Sequence, residues 1–126
     1  MKMTKKRSWI LELFRIDEQP LCAQQVYEKL KGTLDMATVY RGLKYLEGKG
    51  HIVSFVLDCS HRGVERYYNL AGSQHRHFLH CVSCHSFTAV ERCPLGSLNS
   101  IEKETGFKVD EHFLTLKGIC SNCRNN

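Results

Sequence analysis

The chain has 126 residues, is 42% hydrophobic and 25% charged, and carries a formal net charge of +5. This is the mixture of a soluble globular protein with room for one ordinary domain or two very small ones. No run of about 18 apolar residues exists to cross a membrane, and the apolar stretch from Trp9 to Phe14 is broken by Glu12, against a secretory signal. Residues 1–50 hold ten Lys/Arg against six Asp/Glu, whereas all seven histidines and six of the seven cysteines lie from His51 onward. A basic front points to a polyanion partner bound through phosphate contacts. An odd number of cysteines without an export signal argues for a reducing cytoplasm and for metal ligation rather than disulfides.

Three helical patterns fill the front half. Trp9, Ile10, Leu13 and Phe14 form the apolar stripe of the first. The second puts Ala23, Val26, Tyr27 and Leu30 on one face and ends at Gly32. The third begins after Asp35, a good N-cap, buries Val39, Leu43 and Leu46, and stops at Gly48 or Gly50. Two β-rich runs follow, Ile52–Leu57 and Val64–Leu70, and the turn chemistry from Asp58 to Gly63 joins them as a hairpin.

Three helices followed by a hairpin is the order of a winged helix, whose third helix enters the major groove of DNA. With Val39, Leu43 and Leu46 inward, the outward face of that helix carries Thr38, Tyr40, Arg41 and Lys44. Arginine reaches guanine edges, tyrosine and threonine contact phosphates or thymine methyls, and lysine supplies charge. Lys6 and Arg7 in the basic N-terminus join this set as DNA contacts. The expected DNA-binding domain is residues 1–70.

Ala71-Gly72-Ser73-Gln74 reads as a hinge, and a second domain, residues 75–126, follows it. In it Phe78–Cys81 and Phe87–Val90 read as strands. Leu95–Glu104 reads as a short helix begun by Pro94 and ended by Gly106, and Phe107–Asp110 and His112–Lys117 complete a small mixed α+β unit. Its chemistry lies in two pairs of identical spacing, Cys81-Val-Ser-Cys84 and Cys120-Ser-Asn-Cys123. Two intervening residues aim both thiolates of a pair at one ion, and two such pairs make the closed S4 tetrahedron of a structural zinc. Disulfides or a thiol-redox centre are the alternative, but a single CxxC suits redox chemistry and two matched ones suit zinc.

Three strings in this order resemble the ferric uptake regulator (Fur) family: Ala37-Thr38-Val39-Tyr40-Arg41, the segment from His75 through Cys84, and the ending Gly118-Ile119-Cys120-Ser121-Asn122-Cys123. That resemblance covers nearly the whole chain. It implies a dimeric, metal-responsive bacterial repressor, with a winged helix followed by a dimerisation domain, acting on a palindromic operator in double-stranded DNA. It matches Cys81, Cys84, Cys120 and Cys123 to the family's structural zinc. A second family site, for another divalent metal, matches His75, His77 and His112, with Cys93 as first choice for the remaining ligand and Glu91 and Glu102 nearby. The family's hinge sensor, in contrast, falls on Pro20, Asn69, Arg76 and Phe78, none of them a good ligand, so it is lost or rebuilt; Cys59 and His61 in the wing turn are candidates for a substitute.

The expected function is therefore a metal-responsive DNA-binding repressor controlling metal uptake or homeostasis. Zinc is preferred to Fe2+ or Mn2+ because imidazole and thiolate suit it better. The alternatives are an iron- or peroxide-responsive regulator of the same family, a zinc-containing thiol-redox switch protein, and a zinc-stapled RNA-binding module. An enzyme is not expected, because no open zinc site with an adjacent general base is evident.

Overall fold

Thr4 and Asp35 decide where the first and third helices begin. In the computed structural model, which describes residues 3–17, 19–72 and 77–125, Thr4 Oγ1 accepts a hydrogen bond from Arg7 N at 3.2 Å and starts α1 (Lys5–Ile16). Asp35 Oδ1 accepts from Thr38 N at 2.8 Å and starts α3 (Met36–Gly48). Each such cap satisfies an orphan helical N–H and contributes about 1 kcal/mol. Between them, β1 (Leu21–Cys22) leads directly into α2 (Ala23–Lys29), and Gln25 Oε1 accepts from Cys22 N at 2.9 Å.

β2 (Ile52–Cys59) and β3 (Gly63–Leu70) form the hairpin, antiparallel from Ile52↔Leu70 to Cys59↔Gly63. Pairing runs further into the join than its turn residues implied, leaving Ser60-His61-Arg62 at the tip. Gly63 takes the positive φ of 73° that the tight reversal needs. β1 adds to β3, giving the sheet order β1-β3-β2. Ile10, Leu11 and Phe14 of α1 meet Val26, Val39, Leu43, Leu46, Ile52 and Tyr68 in one buried cluster. Trp9, expected in the stripe, is 38% exposed, and Leu11 takes the inward position because it lies one turn from Phe14. This region is winged-helix-like.

Residues divide into two compact units, Met1–Ala71 and Gly72–Asn126. The second is built on β4 (His77–Cys81), which pairs antiparallel with β5 (Phe87–Val90) and parallel with β6 (Thr115–Gly118). α4 (Asn99–Thr105) and a terminal α5 (Ser121–Arg124) flank it, and neither buries a residue. α4 starts later than expected: Gly96 turns left-handed at φ 61°, and Ser97 Oγ then accepts from Asn99 N at 3.2 Å. Phe107–Asp110 and residues 112–114 are irregular, and β6 starts only at Thr115. Glu102 Oε2 accepts from Val109 N at 2.8 Å, so a side chain of α4 serves this segment where a neighbouring strand was expected. Among the described residues no helix is long and apolar enough to cross a membrane.

Candidate functional site

The helix α3 turns Val39, Leu43 and Leu46 inward, so period 3.6 leaves Tyr40, Arg41 and Lys44 exposed and Thr38 half-buried. Arg41 Nη2 donates to Thr38 Oγ1 at 3.2 Å, which restrains the guanidinium at the start of the helix. Lys6 and Arg7, far away in sequence, come to the same place: they line a hollow of about 190 Å³ together with Thr4, Ile10, Thr38, Arg41 and Gly42. Arg7 lies with its guanidinium carbon 4.0 Å from the centroid of the Tyr45 ring, an attraction between a cation and the negative ring face. Gly42 permits this convergence. A Cβ there would stand 2.5 Å from Ile10 Cδ1, so with Ile10 in this conformation the crossing of α1 and α3 leaves no room for a side chain at position 42. Gly42 and Tyr45 carry no periodic signal of their own, but a glycine between the inward Val39 and Leu43, on the buried face of a helix, is the signal for such a close crossing.

In the C-terminal unit, the Sγ atoms of Cys81, Cys84, Cys120 and Cys123 all lie within 4.8 Å of one another, and Cys84 Sγ is 3.8 Å from Cys120 Sγ. A tetrahedron with Zn–S bonds of about 2.3 Å has S···S edges of about 3.8 Å. Backbone donors prepare the sulfurs: Cys84 N and Cys120 N each point at Cys81 Sγ at 3.4 Å. These bonds pull the Cys81 thiol down to about 5. Ser86 Oγ, 3.1 Å from Cys84 Sγ, holds that thiol below its ordinary value. At Cys123 a bond with Ser83 lowers the pKa, but Cys120, burial, Cys81 and Cys84 together outweigh it and push the thiol up to about 11. Four thiolates crowd one another unless a cation neutralises them, and the donor set fits a divalent zinc-type ion.

The second cluster joins His77, Cys93 and His112, whose ligand atoms also lie within 4.8 Å of one another. His77 Nε2 is 3.1 Å from His112 Nε2, and Cys93 Sγ is 3.3 Å from His112 Nε2. His77 Nδ1 lies 3.1 Å from the Leu114 carbonyl oxygen. A carbonyl only accepts, so Nδ1 carries the proton and the Nε2 lone pair faces His112 and Cys93. This is the outer-sphere arrangement that orients a metal-ligating histidine. Among the described residues no carboxylate joins the cluster; Glu102 instead holds Val109 N. His75 lies outside the described residues.

At the hinge-sensor positions, Pro20 and Asn69 are buried in the N-terminal unit, Phe78 packs edge-on against Phe87 at 6.1 Å, and Arg76 lies outside the described residues. Cys59 is buried at the end of β2, and His61 is exposed on the hairpin turn.

Residues 1–117 match the ferric uptake regulator family. The ferric uptake regulation protein of Neisseria meningitidis serogroup A is 31% identical over 129 aligned residues, covering 98% of this chain and 87% of the relative. The solved structure of the ferric uptake regulator from Francisella tularensis with iron superposes with a TM-score of 0.80 at 29% identity, covering 98% of this chain and 95% of that one. A zinc-bound manganese uptake regulator superposes at 0.68 with 26% identity, covering 95% and 91%. A basic helix face, cysteine and histidine clusters able to bind metal, and a family match across almost the entire length agree: the chain belongs to the ferric uptake regulator family of metal-responsive DNA-binding regulators, which are not enzymes.

Proposed function

We propose that the chain is a homodimeric repressor of metal uptake or homeostasis genes that responds to zinc. In this reading Cys81, Cys84, Cys120 and Cys123 hold a structural zinc, and His77, His112 and Cys93, with His75, hold the regulatory ion. The observation that carries the choice of metal is the donor set of the second cluster: two imidazoles and a thiol, with no carboxylate among the described residues. Such ligands favour zinc over a harder ion such as Mn2+. A bound divalent ion supplies charge and a cross-link; the chain's own residues do the rest. His77 presents a preset lone pair, His112 approaches from the segment before β6, and Cys93 from the segment after β5.

Dimerisation is supported by what the C-terminal unit lacks. α4 and α5 bury nothing, while Phe107 is 73% and Phe113 77% exposed, with Ile101 and Ile119 more than half exposed. So small a unit needs further burial or a metal to be stable, and apolar surface on this scale marks an interface. A second copy then presents two α3 helices to the two halves of a palindromic site. In that complex Arg41 reads base edges, Thr38 and Tyr40 contact the duplex, and Lys6, Arg7 and Lys44 meet phosphates.

Regulation is linkage: the ion binds the DNA-competent state more tightly and shifts the population toward it. A tenfold preference is worth about 1.4 kcal/mol per site, and about twice that over a dimer. The test measures affinity for a duplex selected from random sequence while zinc, Fe2+ and Mn2+ are titrated. Zinc should act at the lowest free concentration, and the His77→Ala/His112→Ala chain should lose the response while keeping its four-cysteine zinc. The second reading, iron, is favoured by the relatives' name and by imidazole's acceptance of Fe2+; a response to iron below the zinc threshold establishes it instead.

A further inference from the structure

Neither cluster uses His80 or His85, which flank the first cysteine pair on either side. His80 is 2% exposed, and neither of its ring nitrogens has a hydrogen-bond partner among the described residues. An imidazole buried in this way is left unsatisfied, at a cost to the fold, unless something engages it. The nearest polar ring is His85: the centroids are 6.0 Å apart, and the nitrogens lie within 4.8 Å of one another. Two nitrogens about 2.0–2.1 Å from one ion stand at most about 4.2 Å apart, so the two rings need at most a small turn toward each other to share one. His85 is held there at a conformational cost. Its φ of 65° makes it the only non-glycine with positive φ among the described residues, a position where glycine or asparagine is favoured. A histidine kept in a glycine's conformation, facing a buried imidazole without a partner, is the pattern of a site that uses its side chain.

We propose that His80 and His85 form a third metal-binding position in the C-terminal unit, separate from the four-cysteine and His77–Cys93–His112 clusters, and taking a borderline divalent transition ion such as zinc. The two imidazoles supply two ligands, and water or other donors complete the shell. The position does not depend on the role given to His77 and His112, because it shares no ligand with them.

The test is equilibrium dialysis of the purified full chain, its four-cysteine zinc retained, against zinc ion alone, with metal counted per chain. His85→Gly is the clean variant, since glycine prefers the left-handed turn and the fold has no reason to suffer. His80→Phe is the second; the Phe87 ring, 4.5 Å from that of His80, offers an aromatic neighbour. Both should bind one zinc fewer than wild type, or bind it at least about tenfold more weakly. The His77→Ala/His112→Ala chain should still take up the His80–His85 ion, and adding His85→Gly to it should remove that ion. Unchanged stoichiometry and affinity in both His85→Gly and His80→Phe would overturn the proposal, as would loss of the same single ion on replacing either His85 or the His77–His112 pair.

Discussion

Replacing Gly42 by alanine sets two opposed effects against each other. Alanine is favoured over glycine in a helix interior by about 0.8–1.0 kcal/mol, so on an open helix face the change stabilises. Here the new Cβ would stand 2.5 Å from Ile10 Cδ1, inside the closest approach of carbon atoms, so this buried methyl must leave its packed position, either turning toward the hollow it lines or pushing α1 away. Overpacking of this kind costs about 1–3 kcal/mol. The net expectation is destabilisation by about 1 kcal/mol. Ile10→Val removes the offending methyl, and the next atoms, Arg7 Cγ at 3.9 Å and Ile10 Cγ1 at 4.0 Å, are ordinary contacts. In that background Gly42→Ala should stabilise by up to about 1 kcal/mol, a coupling of about 2 kcal/mol across the α1–α3 crossing. Urea unfolding followed by circular dichroism, at fixed protein and zinc concentration, reads both backgrounds. Equal effects of Gly42→Ala with Ile10 and with Val at position 10 would refute the packing account.

Three further outcomes follow from the site geometry. Cys123→Ser should release zinc and dissociate the dimer, measured by metal analysis and sedimentation; a variant that retains both removes the cluster's structural role. Arg41→Ala should abolish sequence-specific DNA binding at a cost of about 1–3 kcal/mol, whereas Lys44→Ala or Lys6→Ala should weaken all sequences alike and flatten the salt dependence; an Arg41→Ala chain with unchanged discrimination contradicts the assignment of α3. Cys93→Ser should weaken zinc more than manganese in a competition titration, since thiolate favours the softer ion, and equal losses would take Cys93 out of the coordination sphere.

The winged-helix-like half was readable because its signals are periodic and punctuated. Asp35 before an apolar stripe, and turn residues between two β-rich runs, each specify one local structure. β1 escaped notice because Leu21 and Cys22 are two residues with no period to detect; only their pairing with Tyr68 and Tyr67 makes them a strand. In the C-terminal unit local pattern failed at residues 107–114, where Val109 is tied to Glu102 and Leu114 to His77 by side-chain hydrogen bonds. The cysteine pairs and Cys93 were visible from spacing and resemblance. His80 and His85 were not, because nothing in their spacing reveals that one is buried and the other sits in a left-handed turn.

Residues of the two clusters stand at both ends of β4 and of β6. His77 and Cys81 bound β4, while His112 and Cys120 stand just outside β6 on either side. Parallel strands have no tight turn between them to fix their alignment, and here residues 82–114 lie between the two strands. A slip by one residue would turn every side chain of β6 to the opposite face and carry His112 and Cys120 away from their partners together. An ion bound at either cluster would favour the register seen here, because a misaligned chain brings neither set of donors together.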